Sequence, residues 1–301
     1  MRRRFLVTGG SGFVAGSVIT QGTGTWEIHV LSRHPAPVGR PGLVWHRVDR
    51  MDADGLSRAF REAAPQAVIH TAAIADIDYC QAHREEARRV NVEMTRVLAD
   101  LCRENHVRLV YTSTDTVFDG RRGNYREDEP PAPVNYYGQT KAEAERLVAA
   151  QEGDWVIARL ALVVGLPVLA PGNSFLARMM TLLGEGRQVG VPPDEIRTPI
   201  DVITLGRALL ELADGDVRGY IHLAGNDVLN RLDMARRIAE RLGYPKDRVV
   251  PNDPTKIPGR APRPRDVSLD NRKARSLLKT PMQGLDGGLD LILFHAKDPT
   301  G

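Results

Sequence analysis

Cysteine is scarce in this chain of 301 residues: Cys80 and Cys102 are its only two. They are too few for a disulfide framework, neither stands in a Cys-x-x-Cys or Cys/His metal spacing, and both read as free thiols of a reducing compartment. Lysine is also rare, 6 residues against 35 arginines, yet the formal net charge is only +3 and the excess is spread along the chain. This excludes the concentrated basic face of a nucleic-acid or membrane-surface binder. Long hydrophobic runs are absent, and nothing approaches the roughly 20 apolar residues that span a bilayer. The basic start Met1-Arg2-Arg3-Arg4 is followed by only Phe5-Leu6-Val7 before Thr8-Gly9-Gly10, too short for the core of a secretory signal, so a cytoplasmic protein is expected. What is present, 42% hydrophobic and 26% charged residues, is the composition of an ordinary globular protein.

Short apolar runs at residues 4–8, 27–32, 43–47, 67–71, 108–113 and 155–160 alternate with amphipathic segments at 13–20, 53–63, 80–104 and 137–151. Strands separated by helical patterns predict a parallel sheet wrapped on both faces, a doubly wound α/β fold of Rossmann type. After Gly165 the pattern breaks into Gly/Pro-rich connections. A helical piece follows near 173–184, sheet-like sequence near 220–223, a helix over about 231–242, and a Pro/Arg-rich stretch at 251–264. The expected organisation is a dinucleotide-binding domain of residues 1–165 with about 196–225, and a smaller C-terminal substrate-binding lobe of about 166–195 with 226–301.

Thr8-Gly9-Gly10-Ser11-Gly12-Phe13-Val14-Ala15-Gly16 joins the first strand to the first helix. There Gly9 and Gly10 permit a tight turn, Gly12 lets the backbone approach a pyrophosphate, and Ser11, Phe13 and Val14 complete a helix N-terminus that offers N–H donors to an anion. Ala15 stands where a third glycine is usual, with Gly16 directly after it. The second strand ends in Ser32-Arg33-His34, without the acidic residue that would bond both ribose hydroxyls of NAD(H). A guanidinium suits a 2′-phosphate, so NADP(H) is favoured over NAD(H), the plain alternative being a solvated Arg33. Asp49 either faces the adenine amino group or caps a helix.

Tyr137-Gly138-Gln139-Thr140-Lys141 places a phenol and an ammonium one helical turn apart on one face. A phenol beside a cation serves as an acid or base nearer neutrality than its ordinary value near 10. Tyr136, with no lysine four residues on, reads as a packing aromatic. Thr112, Ser113, Thr114, Asp115 and Thr116 bring hydroxyls to the carboxyl end of a strand, where open α/β sheets bind ligands. One of them could polarise a carbonyl oxygen, or they could satisfy backbone groups where the strand meets its loop.

With these motifs in view the chain resembles the extended short-chain dehydrogenase/reductases, within them the dTDP-4-dehydrorhamnose reductase family. The resemblance rests on the TGxxGxx(A/G) start, His70-Thr71-Ala72-Ala73 at a strand end, Val90-Asn91 on the next helix, residues 113–120 and Tyr-Gly-x-Thr-Lys at 137–141. It implies roles for Thr114 in polarising a substrate carbonyl, Tyr137 as general acid, and Lys141 as phenol tuner and ribose clamp. It further implies a cofactor site reaching Ala72, Ala73, Asn91 and Thr112. The substrate would meet Asp115, Thr116 and Asn173, with Arg197 and Arg263 holding the diphosphate of a sugar nucleotide. The expected activity is NADPH-dependent reduction of a 4-keto, 6-deoxy sugar nucleotide. A nucleotide-sugar 4-epimerase with retained nicotinamide, or a non-catalytic NADP-binding regulatory subunit, are the alternatives. Thr116 departs from the family tyrosine and from the glutamate of dehydratase relatives, which disfavours water elimination. Leu162 replaces the asparagine of epimerase relatives. Relatives often dimerise through two helices, and Ala142, Ala144, Leu147 and Val148 with Val97, Leu98 and Leu101 could form such a homodimer seam or face the sheet. No metal is expected.

Overall fold

The computed structural model describes residues 3–36, 42–49, 51–169 and 174–297; Asn173 lies outside the described residues. Six strands follow the apolar runs: β1 (Arg4–Thr8), β2 (Glu27–Ser32), β3 (Leu43–Arg47), β4 (Ala67–His70), β5 (Arg108–Thr114) and β6 (Trp155–Leu160). With a seventh strand, Gly219–Leu223, they form one parallel sheet, in the order Gly219–Leu223, β6, β5, β4, β1, β2, β3. The protein thus has the Rossmann-type doubly wound fold. β1, β4 and β5 are almost wholly buried, as expected of strands covered on both faces. The strand order reverses between β1 and β4, so a crevice opens at their carboxyl ends, where such sheets take ligands.

The helices on the two faces are α1 (Phe13–Gly22), α2 (Ala53–Ala63), α3 (Ile77–Ala82), α4 (Arg84–Arg88), α5 (Met94–Glu104), α6 (Tyr136–Ala149), α7 (Phe175–Gly184) and α8 (Val202–Asp214). α1 and α8 pack side by side, closing a core around Phe5, Val7, Ile28 and Leu209. α2, α5 and α6 cover the other face through Phe60, Leu98, Ala144 and Val148. Ala142, Ala144, Val148 and Leu98 are therefore buried inside the chain itself. A third core gathers α7, α9 (Arg231–Arg241) and α11 (Leu285–Lys297), beyond α10 (Arg272–Leu277), around Leu176, Met179, Ile238 and Leu289.

The single helix expected over residues 80–104 is instead broken. It starts earlier, at Ile77, because Asp76 accepts from the Tyr79 N–H and caps it. It then breaks at His83, and a widened π turn, Arg89–Glu93, joins α4 to α5. The extra residue in that turn carries Asn91 inward, where its amide accepts from Ile74 N at 2.8 Å and donates to Ile74 O and Thr140 Oγ1, both at 3.1 Å. Asn91 thus ties the β4–α3 connection to α6.

Candidate active site

The loop after β1 turns at Gly9 with φ +76°, a conformation that L side chains rarely adopt, and a Cβ there would press within 2.9 Å of the Ala72 backbone. Gly10 N donates to Leu31 O, and Gly12 N to Gly9 O, so Ser11 and Gly12 ride on a closed turn. Side chains cap α2, α3, α6, α7, α8 and α9, but α1 begins at Gly12 with no side-chain cap and no acidic residue in its first turn. Among the described residues no side chain caps its first-turn N–H groups. Ala15 is fully buried, and Gly16 N still bonds Gly12 O at 3.0 Å, so the methyl in place of a third glycine fits. Phe13 approaches Gly165 and Val14 packs on the sheet core.

A cleft continues from Thr8 and Gly9 past Ala72 and Ala73 on one side and Ser32, Arg33 and Asp49 on the other. Ser32 is buried and accepts from the His34 N–H, which folds the strand end back. Arg33 is exposed at the rim, its Nε donating to His34 Nε2 at 3.0 Å. Asp49 accepts from Met51 N, while the cap of α2 is Asp52, which leaves Asp49 at the cleft mouth. His70, buried under the cleft, shares hydrogen bonds with Thr8 Oγ1 at 2.7 Å and Thr95 Oγ1 at 3.0 Å. Burial, with Lys141 nearby, pushes its imidazole down to about 3, so it is neutral.

The hydroxyl cluster and the phenol–ammonium pair meet at the carboxyl end of β5. Asn135 caps α6 by accepting from Gly138 N at 2.9 Å and holds the 251–264 stretch by donating to Pro262 O. Gly138 is needed for this approach, since a Cβ there would lie 2.4 Å from Thr116 O. The helix start therefore sits against the strand end, and the Tyr137 phenol lies in hydrogen-bonding contact with Thr114, with Cys80 and Asp115 close by. Burial holds that phenol above its ordinary value. Lys141 is 3% exposed; its Nζ donates to Thr112 O at 2.7 Å and rests 4.2 Å above the Tyr111 ring. Burial pulls its ammonium down to about 7, opposed by Glu145 and Cys80. Thr112 Oγ1 in turn donates to His70 O at 2.9 Å, so β4, β5 and α6 are locked together beneath the site. Tyr136 packs with Ile74, Cys80 and Val90, and Arg84 covers its ring.

Thr114 Oγ1 donates to Asp115 Oδ1 at 3.2 Å and shares a hydrogen bond with Thr116 Oγ1 at 3.0 Å. The Asp115 carboxyl is pushed up to about 6 by burial, against the pull of Arg197 at 3.9 Å, and its Oδ2 has no hydrogen-bond partner among the described residues. Arg197 is itself buried, donating to Ile196 O, Arg265 O and Pro264 O. Arg263 forks onto Asp78 of α3 at 3.0 and 2.9 Å and donates to Ala261 O. The structure thus brings Thr114, Asp115, Thr116, Tyr137 and Lys141 to one end of the sheet, and turns the guanidinium groups of Arg197 and Arg263 onto protein partners.

Sequence reasoning missed three elements of this region. Asp78, which fastens the 251–264 stretch to α3, is 185 residues from its partner Arg263. Glu145, one turn past Lys141, is the buried counter-ion of Arg159, with Nη2–Oε2 at 2.9 Å. The Glu145 spacing along α6 was the one available local signal. Arg231, at the start of α9, carried none.

The chain matches the RmlD substrate binding domain family over residues 3–295. It belongs to that family of extended short-chain dehydrogenase/reductases. It is 30% identical over 288 residues, 94% of this chain and 83% of the relative, to the dTDP-4-dehydrorhamnose reductase of Mycolicibacterium smegmatis. It is 26% identical, over 91% of this chain and 82% of the relative, to methionine adenosyltransferase 2 subunit beta of Bos taurus. Among solved structures, a hypothetical dTDP-4-dehydrorhamnose reductase from Sulfolobus tokodaii superposes with a TM-score of 0.82 at 30% identity, covering 94% of this chain and 98% of that one. Among the described residues, no helix is long and apolar enough to cross a membrane.

Proposed function

We propose that this protein is a nicotinamide-dinucleotide-dependent reductase of a 4-keto, 6-deoxy sugar nucleotide, with NADP(H) preferred to NAD(H). The observation that carries this reading is the convergence of Thr114, Tyr137 and Lys141 at the carboxyl end of β5, in a sheet whose first helix has an uncapped N-terminus. The chain's membership in a family that includes dTDP-4-dehydrorhamnose reductases supports it. The residues present fit the dinucleotide: Gly9 leaves a cradle that a Cβ would fill, α1 offers unpaired N–H groups, and the cleft past Ala72 and Ala73 ends at Arg33. The preference for NADP(H) is supported by the absence of a carboxylate at the end of β2 that would repel a 2′-phosphate, and by the exposed Arg33 at the cleft rim. In this reading the sheet domain binds the dinucleotide, and the lobe of residues about 166–195 and 226–301 receives the substrate.

The dinucleotide, when bound, supplies the hydride. The chain's own residues orient the ketone and deliver the proton. Thr114 Oγ directs a hydroxyl at the substrate carbonyl, and Tyr137, kept protonated by its buried setting, donates to the carbonyl oxygen as negative charge develops there. Lys141, fixed by Thr112 O, lies one turn along α6 to hold a ribose hydroxyl and stabilise the phenolate left behind.

Mixing the protein with NADPH or NADH and a panel of nucleotide-linked 4-keto-6-deoxy sugars, and following reduced-nicotinamide absorbance, tests this directly. Faster loss with NADPH and one panel member is expected. Cofactor binding without consumption across the panel would sink the reductase reading and leave a 4-epimerase with retained nicotinamide or a non-catalytic NADP-binding regulatory subunit.

A further inference from the structure

Arg231 opens α9, and its guanidinium lies 4.8 Å over the Phe175 ring at the start of α7. Its Nε is buried with no hydrogen-bond partner among the described residues. The neighbours explain why none is to hand. Glu195 accepts from Arg260 Nη2 at 2.5 Å and faces Arg197 at 3.6 Å, so the carboxylate nearest Arg231 already serves two other arginines. Arg178 adds a further positive charge at the Phe175 ring. Burial, and then the repulsion of Arg197, Arg178 and Arg260, pushes the Arg231 guanidinium down to about 10, with Glu195 alone opposing. A half-buried cation whose Nε is sealed from solvent with no partner, amid an excess of like charge, is unfavourable unless an anion offsets that charge.

The place of that anion follows from Arg197. Its Nε lies 3.9 Å from Asp115, next to Thr114, while its other donors are occupied by backbone carbonyls, so it bridges the catalytic group and the arginine cluster. Arg231 is close enough to Arg197 to be repelled by it.

We infer that Arg231, seated on Phe175, binds the diphosphate of the sugar-nucleotide substrate, and that Glu195 and Arg197 form the scaffold that keeps it unpaired until substrate arrives. This rests on the sugar-nucleotide reading above and moves the principal phosphate contact from Arg197 and Arg263, whose guanidinium groups are held by the protein, to a third arginine. A guanidinium fork suits a diphosphate, and the local excess of positive charge matches its two negative charges.

The test is calorimetric titration of dTDP, UDP and thymidine into the NADPH-saturated protein and into Arg231→Met, which keeps the apolar stem on Phe175. Loss of a charged hydrogen bond predicts nucleoside diphosphates bound about tenfold to a hundredfold more weakly by the variant. Thymidine and NADPH affinities should be unchanged, and thermal stability equal or higher. Arg231→Lys, which keeps the charge without the fork, should fall between the two and serves if the methionine variant does not fold. Nucleoside diphosphate binding by wild type that persists in Arg231→Met and Arg231→Lys overturns this assignment alone. Wild type that binds neither dTDP nor UDP overturns the sugar-nucleotide reading as well.

Discussion

Two arginines, a fully buried one in the sheet domain and a half-buried one in the C-terminal region, are treated in opposite ways. Arg159 on β6 is enclosed between α6 and the sheet, its Nε and Nη2 on Glu145 and its Nη1 on Glu127 O, with Phe118 and Tyr220 stacked beside it. Arg231 is sunk among like charges with its Nε unsatisfied. The two arginines therefore differ in how completely they are partnered. Closed pairs such as Arg159–Glu145 and Arg108–Asp154 fix the frame. Among the described residues, the buried groups left without a hydrogen-bond partner include the Nε of Arg231 and Asp115 Oδ2, and also Ser113 Oγ and Asp201 Oδ2.

The largest loss is expected at Tyr137, the proposed proton donor. Tyr137→Phe removes only a hydroxyl, and kcat should fall by about 10²- to 10⁴-fold while NADPH affinity and melting temperature stay near wild type. A variant with unchanged kcat would take Tyr137 out of the chemistry. Next comes the closed pair: Arg159→Met leaves Glu145 buried without its counter-ion, and denaturant titration should show a loss of about 3–5 kcal/mol. A loss below about 1 kcal/mol would place that pair among the dispensable ones.

At the cofactor end, Arg33→Ala should weaken NADPH by about tenfold or more and leave NADH nearly unaffected, since one charge-assisted contact to a phosphate is removed. Equal losses for both cofactors would remove the case for a 2′-phosphate contact. Lys141 should set the alkaline limb of activity. Burial brings its ammonium down to about 7, and clamp and phenol tuner alike need the charged form, so kcat/KM should decline as pH rises through about 7. Lys141→Arg, charged throughout, should move that limb to higher pH; an unmoved limb would assign the titration elsewhere.

The smallest effect concerns Asp115. Its carboxyl is raised from 3.8 to about 6 in the folded protein, so the fold binds the proton more tightly than the unfolded chain. The stability this gives is complete below pH 3.8 and is lost as pH rises through 6. Asp115→Asn should flatten stability across that window, as read from melting temperature against pH; an unchanged slope would show that Asp115 does not carry it.

The strands were legible because the sheet is covered on both faces. Runs such as Phe5-Leu6-Val7 and Val68-Ile69 have no reason to be apolar throughout otherwise, and glycine ends them abruptly at Gly9. The Tyr137–Lys141 spacing was legible because both groups sit on one helix face. The π turn at Arg89–Glu93 was not, because a single extra residue leaves the amphipathic pattern intact; tertiary demand for Asn91 at the Ile74 backbone sets it. Nor were the partners of Arg197 and Arg263, since a sequence shows a guanidinium and not what it faces. Asp78 and the Arg265 and Pro264 carbonyls come from segments far along the chain.

The central claim is that hydride passes to the substrate and stays there, with Tyr137 furnishing the proton. Incubation of the protein with NADPH deuterated at the transferring position and the accepted 4-keto sugar nucleotide, followed by analysis of the product, tests it most directly. One deuterium at the carbon of the new alcohol, with one NADP⁺ formed per product, is the predicted result. A product isomer carrying no deuterium, or no product at all beside intact NADPH, would contradict it.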